Sequence, residues 1–163
     1  MSYKNINLID IKINNFNNNF ARISINNKLL SFNTVPVISV TNIIREYKKN
    51  YIIIKTTDKN FIDFIFNIEN NLIVSKEINE MIKNGNKFIS SIDIIDNEYY
   101  IKLKISERKS HLLLNVYNEE GNHTSYDEIK SNINMICKLS LNPIWNFNKK
   151  IGLSWIVKDI YLI

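Results

Sequence analysis

Period-two alternation of bulky apolar residues runs through most of this chain, and it restricts the fold more than any other feature. In Tyr99-Tyr100-Ile101-Lys102-Leu103-Lys104-Ile105 it sends Tyr99, Ile101, Leu103 and Ile105 to one side. Tyr100, Lys102 and Lys104 go to the other, as in a strand with one buried and one wet face. Ile9, Ile11 and Ile13 alternate with Asp10 and Lys12, and Ala21, Ile23 and Ile25 repeat the pattern beyond an Asn-rich stretch at 14–19. Asn26-Asn27 can turn the chain, because Asn tolerates positive φ, and Leu29 to Phe32 would return as a hairpin. Val35-Pro36-Val37 starts an extended piece, with Pro36 at an edge or strand start. Tyr51-Ile52-Ile53-Ile54 reads as a short, well-buried strand. Further strands are expected over 88–95, 99–105, 112–117, 133–141, 143–147 and 151–162, with turns at Asp96-Asn97 and Asn118-Glu119-Glu120-Gly121.

The period changes to that of a helix in one long stretch. Asp58 is placed to cap it, and Phe61, Ile65, Ile68 and Leu72 recur at spacings of three and four. With Ile78, Met81 and Ile82 they predict one longer helix, about 59–83, stopped by Asn84-Gly85-Asn86. Ser125-Tyr126-Asp127-Glu128 has capping-box spacing and predicts a short helix, about 126–132. No internal repeat and no Pro/Gly/Ser-rich linker interrupts the chain, so residues 1–163 read as a single domain, mainly β and α+β by count.

Composition narrows the function classes. The chain has 163 residues, 45% of them hydrophobic, enough for a sizeable core without crosslinks. Roughly a third are Ile or Asn, far above ordinary usage. With Lys, these residues have A/T-rich codons, so the bias points to an A/T-rich genome of viral or plasmid kind. The net charge of +5 and pI of about 9.2 favour a polyanionic partner. Cys137 is the one cysteine, which fits a reducing compartment, and no signal-peptide or membrane-span pattern is present. The expected location is the cytoplasm, including a viral replication site, with no membrane partner.

Catalytic machinery is not legible. Gly85, Gly121 and Gly152 are too far apart for a phosphate-cradling or dinucleotide loop. His111, His123 and Cys137 lack metal-ligand spacing, and the carboxylates are scattered. No cofactor, metal or catalytic residue is therefore expected, and the chain does not read as an enzyme.

What the sequence does offer is rings beside cations. An unpaired nucleic-acid strand needs cations that follow its phosphates and aromatic faces on which bases stack. Tyr100, Lys102 and Lys104 supply both on one strand face, and Arg108 and Lys109 extend the charge into the next turn. If 99–105 and 112–117 pair as a hairpin, Tyr117 shares the sheet face of Tyr100 and forms a two-ring platform. A third stretch sets Trp145 and Phe147 on one side of a strand that leads into a basic turn, Lys149-Lys150. Trp155, between Leu153 and Val157, reads as core.

The order of these elements, and most specifically Trp145 followed by Gly152-Leu153-Ser154-Trp155, resembles the small OB-fold single-stranded DNA-binding proteins of large DNA viruses, tailed phages and yeast cytoplasmic linear plasmids. The likeness covers about the last seventy residues. It implies an OB-fold-like Greek-key β-barrel, with additional N-terminal strands, that coats unwound template during DNA replication without sequence preference. Single-stranded DNA is the implied partner. RNA, replication proteins such as a polymerase or helicase, and homo-oligomers stay open. Phage members of this type usually end in an acidic tail, whereas this sequence ends Lys158-Asp159-Ile160-Tyr161-Leu162-Ile163. The alternative is a structural or assembly protein whose exposed aromatics are protein contacts.

Overall fold

Among the described residues the alternating segments pair into two large sheets and a two-stranded ribbon, seen in a computed structural model that describes residues 2–7, 11–17, 20–25 and 28–163. Along the chain come β1 (Ile11–Asn17), β2 (Phe20–Ile25), β3 (Lys28–Leu29), β4 (Ser31–Asn33), β5 (Val37–Ser39), β6 (Ile44–Glu46) and β7 (Lys49–Thr56). Two helices follow, α1 (Lys59–Ile73) and α2 (Lys76–Lys83). Then come β8 (Lys87–Ile89), β9 (Ile92–Ile95), β10 (Glu98–Ile105), β11 (Glu107–Arg108), β12 (His111–Leu112), β13 (Asn115–Tyr117) and β14 (His123–Thr124). The chain finishes with β15 (Asn134–Leu141), β16 (Ile144–Phe147), β17 (Lys150–Gly152) and β18 (Trp155–Leu162).

Five of these strands close on themselves. β5 pairs β7, β7 pairs β10, β10 runs parallel to β18, β18 pairs β15, and β15 returns to β5. This is the five-stranded Greek-key barrel of an OB-fold, with one parallel contact between its third and fifth strands. Closure leaves every barrel strand an inner and an outer side. Ile52 and Ile54 of β7, Ile101, Leu103 and Ile105 of β10, and Trp155 and Val157 of β18 all point inward and are buried. Cys137 lies among them on β15, and burial pushes its thiol up to about 12.

α1 fills one end of the barrel. Asp58 accepts a hydrogen bond from the Phe61 amide at 2.8 Å, the cap the sequence predicts. Phe61, Ile65, Ile68 and Leu72 form the fully buried stripe. Phe61 and Phe64 pack edge-on against Phe32, whose ring meets Trp155 at 5.5 Å between centroids. The second sheet, ordered β1-β2-β16-β17-β8, extends the β16–β17 hairpin with the N-terminal strands.

Several sequence boundaries move. The helix expected over 59–83 breaks at Val74-Ser75 into α1 and α2, because the Ser75 hydroxyl and amide both bond the Leu72 carbonyl and divert the chain from helix. α2 ends as expected. Asn86 and Gly85 donate back to Met81 and Ile82, and Gly85 takes the left-handed φ of 90°. The helix expected over 126–132 is only a 3-10 turn, Tyr126–Glu128. Its Ser125 hydroxyl accepts from the Asp127 amide and donates to the Asp127 carboxylate, so the capping box with Glu128 does not form. The Asn-rich stretch does not separate strands at residue 14; β1 runs through Asn17. Asn26-Asn27 and Ile9 lie outside the described residues. The segments 88–95, 112–117 and 151–162 each split in two. In each of them the two halves serve different sheets, which alternation inside a strand does not record.

On the outer side of β18, Asp159 is bonded by Asn115 at 2.7 Å and by Lys138 at 3.0 Å. Burial pushes its carboxyl up, but these bonds and the lysine charges more than offset that, leaving it below its ordinary value. A depressed carboxyl stabilises the fold above its unfolded value and loses that contribution as pH falls through the folded one. Glu98, hydrogen-bonded by Lys55 and Tyr100, is depressed as well. Urea stability is expected to hold above about pH 5 and to decline through and below about pH 4. Asp159→Asn should flatten that decline when denaturation midpoints are compared across pH.

Candidate nucleic-acid interface

The outer face of β7 and β10 is built by register. Lys55 faces Tyr100, Ile53 faces Lys102 and Tyr51 faces Lys104 across the ladder, with Lys49 one step beyond. All are outward because their neighbours Ile52, Ile54, Ile101 and Leu103 occupy the core. The expectation that 51–54 is a well-buried strand holds on one face only: Ile52 and Ile54 are buried, whereas Tyr51 and Ile53 are half-buried. Strands alternate along their whole length, and this one borders solvent on one side.

Two hairpins rise beside this face. β6 and β7 are joined by Tyr47-Lys48, and β16 and β17 by Asn148-Lys149, with all four residues at positive φ. Two-residue hairpin turns favour such backbone, but Asn-Gly fits it far more easily than Tyr-Lys. The β6–β7 turn therefore holds two L side chains in a strained conformation at its tip, where Tyr47 is 97% exposed. The basic turn expected at Lys149-Lys150 is shifted by one residue, and Lys150 instead begins β17 opposite Phe147.

Between the hairpins lies a cleft of about 530 Å³, whose walls include Lys49, Tyr51, Lys102, Lys104 and Trp145. The Trp145 indole packs against Gly152 so closely that a Cβ built there would collide with the ring. The indole N–H donates to the Leu153 carbonyl at 3.2 Å. The spacing from Trp145 to Gly152 is thus a packing requirement. On the opposite wall, the Lys102 ammonium sits 4.2 Å from the centroid of the Tyr51 ring and pairs with Glu46 at 2.8 Å. Lys49 and Lys104 make no ion pair with any described residue. The cleft floor is held from behind by a buried carboxylate. Glu69 of α1 accepts from the Ser90 hydroxyl and from the amide and hydroxyl of Ser91, while Trp155 donates to the Ser91 hydroxyl.

The residues singled out in the sequence do not all come together. Lys102, Lys104 and Trp145 line the cleft. Phe147, 70% exposed, Lys149 and Lys150 stand on the adjoining hairpin, and Tyr100 continues the β10 face. Its hydroxyl donates to Glu98 at 2.8 Å, which also accepts Lys55, and this bond raises the Tyr100 pKa. Arg108 and Lys109 belong to the separate β11–β12 ribbon. The 99–105 and 112–117 segments do not form a hairpin. β13 pairs β18 and β14 instead, and Tyr117 stacks on Tyr161 at 4.9 Å and against His123. The two-ring platform with Tyr100 is therefore not formed. Missed in the sequence were Lys49 and Tyr51, although Lys49, Tyr51, Ile53 and Lys55 alternate as Tyr100, Lys102 and Lys104 do. Among the described residues, no three His, Cys, Asp or Glu side chains gather in a way that could hold a metal ion.

No family model matches the chain, and neither does any curated protein. Solved structures do. Over 82% of this chain and 86% of the other, it superposes on gp2.5, a single-stranded DNA-binding protein encoded by bacteriophage T7, with TM-score 0.60 and 14% identity. The single-stranded DNA-binding protein of bacteriophage Enc34, solved in complex with single-stranded DNA, matches over 94% of both chains, with TM-score 0.58 and 11% identity. The chain shares their fold. The likeness extends well beyond the last seventy residues that suggest it in the sequence.

The Gly152 contact is testable. Gly152→Ala should push the indole off its seat, cost about 1–3 kcal/mol of stability and red-shift tryptophan emission. An unchanged spectrum and midpoint would mean that Trp145 does not rest there in solution.

Proposed function

We propose that this protein binds single-stranded DNA, without catalysis, in the cleft between the β6–β7 and β16–β17 hairpins. The observation that carries the reading is the convergence of Tyr51 and Trp145 with Lys49, Lys102 and Lys104 around one open cleft. Strands two and three of an OB-fold, with the loops between strands one and two and between four and five, are the surface this architecture uses for oligonucleotides. In this chain those are β7, β10 and the two hairpins. The rings take bases by stacking, and the lysines follow the phosphates. Sequence tolerance follows, because stacking accepts any base and an ammonium reads only charge.

The fold-level likeness to two phage proteins described as single-stranded DNA-binding, one of them solved with its strand, supports the same reading. We further propose that the protein coats unwound template during viral or plasmid replication, in a reducing cytoplasmic setting that suits the lone Cys137.

Fluorescence titration with oligo-dT at about 50 and 200 mM salt tests this. Engagement of Lys49, Lys104, Lys149 and Lys150 sets a log–log salt slope of up to about −2.8, with much weaker binding to duplex. Tyr51→Ala and Trp145→Ala should each cost about 1–3 kcal/mol of affinity. Tyr117→Ala, outside the cleft, should leave affinity close to wild type. Absence of oligo-dT binding at the lower salt would overturn the assignment.

A further inference from the structure

The cleft carries its own competitor for the strand. Lys102 is not free to meet a phosphate: Glu46, at the end of β6, holds its ammonium at 2.8 Å, with both side chains near half exposure. In that position the ammonium also lies over the Tyr51 ring, 4.2 Å from its centroid. A base cannot stack on that side of the ring while the lysine occupies it. One carboxylate thus withholds two of the groups the proposed site depends on, a cation and an aromatic face. Lys49 and Lys104, which line the same cleft, make no such pair among the described residues.

We infer that Glu46 regulates this cleft, acting as a built-in phosphate substitute that keeps Lys102 over Tyr51 until a single strand displaces it. The inference rests on the single-strand reading of the cleft. Its physical content is an exchange. The Glu46–Lys102 pair opens, Lys102 moves to a phosphate, the Tyr51 ring is uncovered, and Glu46 is left as a negative charge beside the entering backbone. An exposed ion pair of this kind is weak, so the brake is small and reversible, suited to a protein that must leave its template as readily as it coats it.

The test is salt-dependent oligo-dT titration of wild type, Glu46→Gln, Lys102→Met and the double variant, with Glu119→Gln on the β13–β14 loop as a control for net charge. Glu46→Gln should tighten binding about two- to fivefold at low salt. It should also steepen the log–log salt slope by up to about 0.7, because a cation formerly neutralised inside the protein now exchanges its counterion for a phosphate. On the Lys102→Met background the same substitution should steepen the slope no more than Glu119→Gln does and tighten binding by less than it does on wild type. Unfolding midpoints confirm that each variant is folded. If wild type binds and Glu46→Gln matches Glu119→Gln in affinity and slope, the regulatory role is overturned and the binding site stands. If wild type does not bind oligo-dT at all, the binding site falls and this role with it.

Discussion

The last strand holds the barrel shut. β18 pairs antiparallel with β15 along nearly its whole length and parallel with β10 over Trp155, Ile156 and Val157. Without it, the Leu103–Ile105 end of β10 would be a sheet edge with unpaired backbone groups, and the barrel would not close. Closure is what separates the inner face from the outer on every barrel strand. Trp155 shows the two demands meeting in one residue. Its ring is fully buried against Phe32, while its indole N–H reaches the Ser91 hydroxyl behind the cleft. The same residue that packs the barrel therefore braces the wall of the candidate site.

That bracing explains why a carboxylate is buried on α1. Glu69 is almost inaccessible, yet three donors from Ser90 and Ser91 satisfy it. Ser90 and Ser91 are where the chain leaves the second sheet at β8 and enters the barrel sheet at β9. A backbone that changes sheets loses ladder partners, and a buried acceptor replaces some of them. The helix thus both plugs the barrel and fixes the crossing that forms one side of the cleft.

The outer face is governed by charge compensation. Lys55 and Tyr100 share Glu98, Lys102 is held by Glu46, and Arg45 lies 3.7 Å from Glu107. A row of uncompensated cations on adjacent strands would repel, and paired carboxylates relieve that while leaving Lys49 and Lys104 without an ion pair among the described residues. Affinity on such a face depends on which ion pairs a ligand can replace, more than on how many lysines it can count.

Much of this could be read locally. Alternation in 99–105 assigned inside and outside correctly, because successive side chains of a strand must oppose one another whatever the partner. The stripe from Phe61 to Leu72, the Asp58 cap and the Gly85 stop were equally visible, since each is settled within a few residues. The places where the sequence reading failed are those where neighbours decide. Hydrogen-bond ladders are chemically alike, so the sequence could not say that β10 pairs β7 while β13 goes to β18, and Tyr117 was placed beside Tyr100 when its true companions are Tyr161 and His123. Only the tertiary structure set Tyr51 opposite Lys104 and brought Trp145 to the same cleft. Those juxtapositions arise from strand pairing across long stretches of chain, and no local pattern encodes which strand will be the neighbour.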